Sequence, residues 1–240
     1  MKRSTASMTP SASADEFVHV LTRTFKSMAD AQRAPAMSAY MRGIAPFLGI
    51  ASPERVRAVR TVLDTVGRPD DLARCAELLY ACAEREYHYA AWDVCSHRTI
   101  VRTLTPEDVS WLEAFIGRHS WWDTVDYLVP RVIGVILRAH PHLLRGVTAP
   151  WIESDDIWYQ RAAIIVQLGW KTATQFDVLT SNVLRRADSA EFFVRKGAGW
   201  ALREYAYTDP KAVYEFVDRN KHLLSGLTVR EALKHRDTAR

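Results

Sequence analysis

The chain has 240 residues, 48% of them hydrophobic and 25% charged, a balance that suits a globular protein with a sizeable core and excludes a disordered or fibrous one. No apolar run approaches the roughly 18 residues of a membrane span, and the N-terminus lacks the apolar segment of a signal peptide, so a cytoplasmic protein without a membrane role is expected. A net charge of +4 and a sequence pI near 9.0 are compatible with a polyanionic partner, because Lys and Arg that meet phosphates release condensed counterions, although charge alone decides little.

Residues 1–13, rich in Ser, Thr and Ala, read as a flexible tail, residues 14–236 as one domain, and residues 237–240 as a frayed end. Apolar positions recur three and four apart in D-E-F-V-H-V-L-T-R-T-F, in E-R-V-R-A-V-R-T-V-L and in D-L-A-R-C-A-E-L-L-Y-A-C, the spacing of amphipathic helices. Strict alternation between Gly-bounded turns is missing, so no sheet is needed. Ser52-Pro53 and Thr105-Pro106 mark helix starts, where a hydroxyl can cap and Pro needs no amide hydrogen. Pro69, Pro150 and Pro210 punctuate further junctions.

Cys75, Cys82 and Cys95 are too few for a disulfide framework and read as buried free thiols. Pairing Cys95 with His97, or Cys82 with His88, lacks the short-knuckle spacing of structural zinc, so no metal is expected.

Pro130 interrupts the helical stretch W-W-D-T-V-D-Y-L-V-P-R-V-I-G-V-I-L-R and should end or kink the first helix just before itself. A short helix is left that holds Trp122 and Asp126, four apart and so on one face. The whole pattern amounts to about a dozen helices in pairs roughly 35 to 45 residues apart, the HEAT and armadillo range. The expected fold is all-α, an α-α superhelix (solenoid) of degenerate HEAT-like helical repeats, whose concave face would offer an extended binding surface.

Two later segments add basic and aromatic residues. Arg161 follows Trp158 by three residues, and its planar fork would suit phosphate oxygens or, equally, a structural ion pair with a nearby carboxylate. Lys196, Trp200 and Arg203 fall at i, i+4 and i+7, a basic stripe with an aromatic in its middle. Gly197 and Gly199 inside that helix each cost about 1 kcal/mol relative to Ala, which a close helix contact or a close ligand would justify. They are no dinucleotide fingerprint, since position 202 is Leu and no strand precedes them. Metalloprotease, P-loop and nucleophile-elbow motifs are missing, which leaves one carboxylate with several arginines and tryptophans.

S-W-W-D-T-V-D, D-x-x-W-x-Q-R-A-A-I and K-G-A-G-W-A-L-R-E-Y-A, in that order, closely resemble the AlkD family of bacterial DNA glycosylases, and A-Y-M-R-G-I-A-P-F-L-G-I and E-R-E-Y-H-Y-A-A-W-D-V extend the likeness over nearly all of the chain after the tail. The resemblance implies a concave, basic, HEAT-like face that grips double-stranded DNA with alkylated bases and excises N3-methyladenine and N7-methylguanine without extruding them, as a monomer in the bacterial cytoplasm, with no cofactor and no metal. It implies that Asp126 is the catalytic aspartate, that Trp122 and Trp200 are the two site tryptophans, that Arg161 contacts DNA and that Tyr40 lies near the lesion. Lys196 and Arg203 would anchor flanking phosphates. Gly197 departs from the family's Ala, and the Ser-rich tail has no counterpart. Excision of bulky cationic adducts, or DNA binding without catalysis, are the alternatives, and a protein-binding scaffold is a third.

Overall fold

A computed structural model describes residues 11–236. Residues 1–10 and 237–240, most of the expected tail and the expected frayed end, lie outside the described residues. The tail boundary drawn at residue 13 needs correction, because residues 11–13 are tied into the fold. Ser11–Ala12 (β1) pairs in parallel with Arg68–Pro69 (β2), and the Ser13 hydroxyl accepts the Glu16 amide at 3.1 Å. This two-residue bridge is a minor addition to the all-α fold that the sequence predicts. Pro69 tolerates its place because the bridge needs so few amide donors.

Two compact units divide between Thr103 and Leu104 within the span read as one domain. The first holds α1 (Ala14–Ser27), α2 (Ala34–Tyr40), α3 (Ser52–Val66), α4 (Leu72–Tyr80) and α5 (Arg85–Cys95). The periodic residues of α1, Phe17, Leu21 and Phe25, are fully buried, as are Leu79 and Trp92. The start of α3 is displaced by one residue from the expected cap: Ala51 is the N-cap and Ser52 and Pro53 lie inside the helix, with the Ala51 amide donating to Glu54 at 3.1 Å. Thr105 does stand at an N-cap, ahead of a short 3-10 turn, Pro106–Asp108.

Between α2 and α3 the chain has no regular structure, and one buried side chain holds it. The Glu86 carboxylate, inaccessible to solvent, accepts the amides of Leu48, Gly49 and Ile50 at 2.9, 2.9 and 3.1 Å. Gly49 is required there, since its φ is +88° and a Cβ would stand 2.2 Å from the Asp30 carbonyl oxygen. The three cysteines are free, and burial pushes the Cys75 thiol up to about 12. His88 directs Nε2 at the Cys82 carbonyl, 3.0 Å away.

The second unit carries α6 (Val109–Glu113), α7 (Trp122–Leu128), α8 (Gly134–Ala139), α9 (Leu144–Glu153), α10 (Ile157–Ile165), α11 (Phe176–Arg185), α12 (Phe192–Ala206), α13 (Pro210–Asn220) and α14 (Gly226–Ala232). As Pro130 leads one to expect, α7 ends just before it, at Leu128. The chain then widens into a π turn over Val129–Ile133, in which the Gly134 amide reaches back five residues to the Val129 carbonyl, and continues as α8. The wider turn accommodates the amide donor that proline lacks. Pro150, by contrast, lies inside α9 rather than at a junction, whereas Pro210 opens α13 behind its cap, Asp209.

At the centre of this unit α10 is buried almost all round, from Trp158 through Ile165, the signature of a helix surrounded by others. It packs against α7, α9, α11 and α12. Gly134 makes the approach of the π turn to α10 possible, since a Cβ there would lie 2.5 Å from the Val166 carbonyl oxygen. Gly134→Ala is therefore expected to destabilise the protein by about 1–3 kcal/mol, overpacking outweighing the better helix propensity of Ala. Urea unfolding midpoints would check it, and an unchanged midpoint would count against so tight a contact.

Candidate functional site

A guanidinium stands in the middle of the buried α10. Arg161 has a side chain only 4% exposed, and its partners come from two other helices. From α7, Asp126 accepts Nε on Oδ1 at 2.8 Å and Nη2 on Oδ2 at 2.7 Å. The backbone carbonyl of Phe193, in the first turn of α12, accepts Nη1. The guanidinium carbon also lies 5.8 Å from the centre of the Trp200 ring, within cation–π range. The arginine expected at a phosphate is thus engaged with Phe193 and with Asp126, a carboxylate 35 residues away rather than one near it in sequence.

Asp126 keeps 16% of its side chain exposed, so the pair has a dry end at Arg161 and a wet end at the carboxylate. Burial pushes the Asp126 carboxyl above its ordinary range, the hydrogen bonds and charge of Arg161 pull it down, and the neighbouring Asp123 pushes it slightly up; the net direction is upward. Both carboxylate oxygens nevertheless accept from a permanently charged fork, an arrangement that only the ionised form satisfies. Trp122 stands one turn before Asp126 on the same face of α7, half-buried.

The basic stripe divides between two faces of α12. Phe193, Gly197 and Trp200 turn towards α10, and Gly197 lets Arg161 through: a Cβ there would lie 2.9 Å from Nη1 and 3.5 Å from Ile165 Cγ2. Lys196 and Arg203 turn instead towards α14, where each forms an ion pair with one oxygen of Glu231. Gly199 sits between them, where a Cβ would be 2.5 Å from Glu231 Cβ and 2.8 Å from the Thr228 carbonyl oxygen. Close helix contacts therefore account for both glycines.

Trp122, Asp126, Arg161, Lys196, Trp200 and Arg203 all belong to the second unit. Tyr40 belongs to the first, at the end of α2, and is 76% exposed. Sequence reading did not assign a site role to Trp121, Trp158, Phe193 or Glu231. Trp121 and Trp158 form an aromatic cluster with Phe193, at centroid distances of 5.7 Å to each other and 4.9 and 5.0 Å to Phe193. Glu231, from a helix distant in sequence, offsets one of the stripe's two positive charges. The W-W and F-F pairs and the tryptophan three residues before Arg161 were the available signals for the aromatic cluster; Glu231 had none.

Removing the guanidinium would leave Asp126 buried without its counter-ion, so Arg161→Met is expected to cost about 3–5 kcal/mol at neutral pH. The sign of its pH dependence follows from the carboxyl. Without Arg161 the Asp126 value rises further above the 3.8 of an unperturbed aspartate, so the folded variant holds a proton that the unfolded chain releases. The variant's stability should be greatest in acid and fall as pH rises through that folded value. Urea melts at about pH 5 and about pH 8 would check this, and an equal deficit at both would contradict it.

The geometry can now be set beside known proteins. The family described as DNA alkylation repair enzyme matches residues 21–235. A solved structure, described as a predicted DNA alkylation repair enzyme from Enterococcus faecalis, is 31% identical, covers 86% of this chain and 95% of its own, and superposes with a TM-score of 0.78. No curated protein matches. The match over almost the whole chain, together with the shared fold, places this protein in the DNA alkylation repair enzyme family.

Proposed function

We propose that the protein is a monofunctional alkylpurine DNA glycosylase of base excision repair. It hydrolyses the N-glycosidic bond of cationic alkylated purines, N3-methyladenine and N7-methylguanine, in duplex DNA without flipping the base, and leaves an abasic site. The observation that carries this reading is the Arg161-held, partly exposed carboxylate of Asp126 in a chain of the alkylation repair family. It stands one turn from Trp122, and its partner Arg161 lies against Trp200.

A purine alkylated at N3 or N7 already carries positive charge. When the C1′–N bond breaks, the bonding pair neutralises the base, so departure needs no general acid, in contrast to an ordinary glycoside. What remains to be stabilised is the cationic sugar. Asp126, fixed as an anion by Arg161, supplies negative charge to the developing oxocarbenium and orients the water that adds at C1′. The indole faces of Trp122 and Trp200 favour the same cation. Lys196 and Arg203 hold flanking phosphates, Arg161 adds positive potential behind them, and Tyr40 contacts the duplex from the first unit.

Base release from duplex DNA carrying N7-methylguanine, scored as alkali-labile abasic sites, tests this directly. Wild type should release the base, and Asp126→Asn should lose about 10²–10³-fold or more in rate while still binding duplex. Activity retained by Asp126→Asn would sink the mechanism. Release by neither protein would turn attention to bulky cationic adducts, and then to DNA binding without catalysis. Because burial raises the Asp126 carboxyl, the wild-type rate should fall on its acid side at a pH above the ordinary aspartate range. A rate flat down through that range would contradict the role of the carboxylate.

A further inference from the structure

The basic face is built with its own carboxylate inside it. Seated on α12 at Gly199, α14 is fixed there by the Thr228 hydroxyl, which donates to the Arg195 carbonyl at 3.1 Å. That seating brings Glu231, with a side chain 15% exposed, between Lys196 at 40% and Arg203 at 20%. Each oxygen takes one cation, so the trio carries one net positive charge where the sequence alone suggests two. Lys196 holds the Glu231 carboxyl below its usual range, and Arg203 adds to this against the opposing effect of burial. The carboxylate is therefore fully ionised near neutral pH.

We propose that Glu231 is a positioning residue that sets how tightly this face holds DNA: backbone phosphates draw Lys196 and Arg203 away from it on binding, and it takes them back on release. The inference rests on the reading that these two cations meet phosphates. Its physical basis is competition between anions for the same donors. A carboxylate and a phosphate cannot both keep full possession of one ammonium or one guanidinium fork, and the nearby negative charge repels an incoming phosphate. Glu231 adds no sequence preference, since phosphate contacts carry none.

Glu231→Gln keeps the shape and removes the charge. The affinity of this variant and of wild type for a duplex, with and without N7-methylguanine, would be measured across a range of salt concentrations. The variant should bind both duplexes several-fold more tightly, and the slope of log affinity against log salt should steepen by up to about 0.9, because one negative charge that must otherwise find a solution cation is gone. Lys196→Gln should cost more affinity in the Glu231→Gln background than in wild type. A purely structural role would lower stability and affinity without steepening the slope. If the variant does not fold, carboxyl-carbon NMR titration of Glu231 in the wild type decides: its midpoint should move up when duplex is added. An unmoved midpoint, or a folded Glu231→Gln that binds no more tightly, would overturn the inference alone. A wild type that does not bind duplex would overturn the glycosylase reading and this inference together.

Discussion

The second unit is organised around a guanidinium in a helix buried almost all round. α10 is covered by four other helices, and a charged group placed there must find counter-charge and acceptors or forfeit several kcal/mol of solvation. Arg161 meets that demand with a bidentate carboxylate from α7 and a backbone carbonyl from α12. Satisfying the arginine thereby fixes three helices against one another. The features around it follow from the same requirement: glycine at 197, where Arg161 crosses α12, and glycine at 134, where the π turn meets the end of α10.

That constraint also shapes the chemistry. A carboxylate alone at a surface is hydrated and mobile, and its charge is screened. Asp126 is held by two hydrogen bonds on its inner side and left partly open on its outer side, so the orientation of its charge is set before any substrate arrives. Preorganised charge of this kind is what a reaction with a cationic intermediate can use. The cost is that the arginine is no longer a freely accessible phosphate ligand, and the remaining cations of the face, Lys196 and Arg203, are moderated by Glu231. The site's electrostatics are those of paired charges rather than of a bare basic patch.

Much of this was legible in the sequence, for physical reasons. Helices follow from apolar spacing, and Phe17, Leu21 and Phe25 occupy the buried face that spacing predicts. The four-residue interval from Trp122 to Asp126 holds because α7 is regular across it. Proline as punctuation holds at Pro130, where α7 ends at Leu128 and a π turn follows, and fails at Pro150, where tertiary packing carries α9 past the missing donor. The i, i+4, i+7 stripe was real as a spacing, yet Trp200 and its flanking cations turn to different neighbours. Nothing local to residues 196–203 could announce Glu231, some thirty residues away, and the Asp126–Arg161 pair spans a similar gap. Long-range pairing of charges is what single-sequence periodicity does not encode.

The claim on which the rest turns is that one anchored carboxylate suffices because the departing base brings its own positive charge. The most direct test is base release by the wild-type protein from two duplexes identical except for the target, one with cationic N7-methylguanine and one with a neutral lesion such as hypoxanthine. The account predicts release of the cationic base and none of the neutral one above the uncatalysed background. Release of both at similar rates would reveal a general acid that this site does not provide, and would contradict the account.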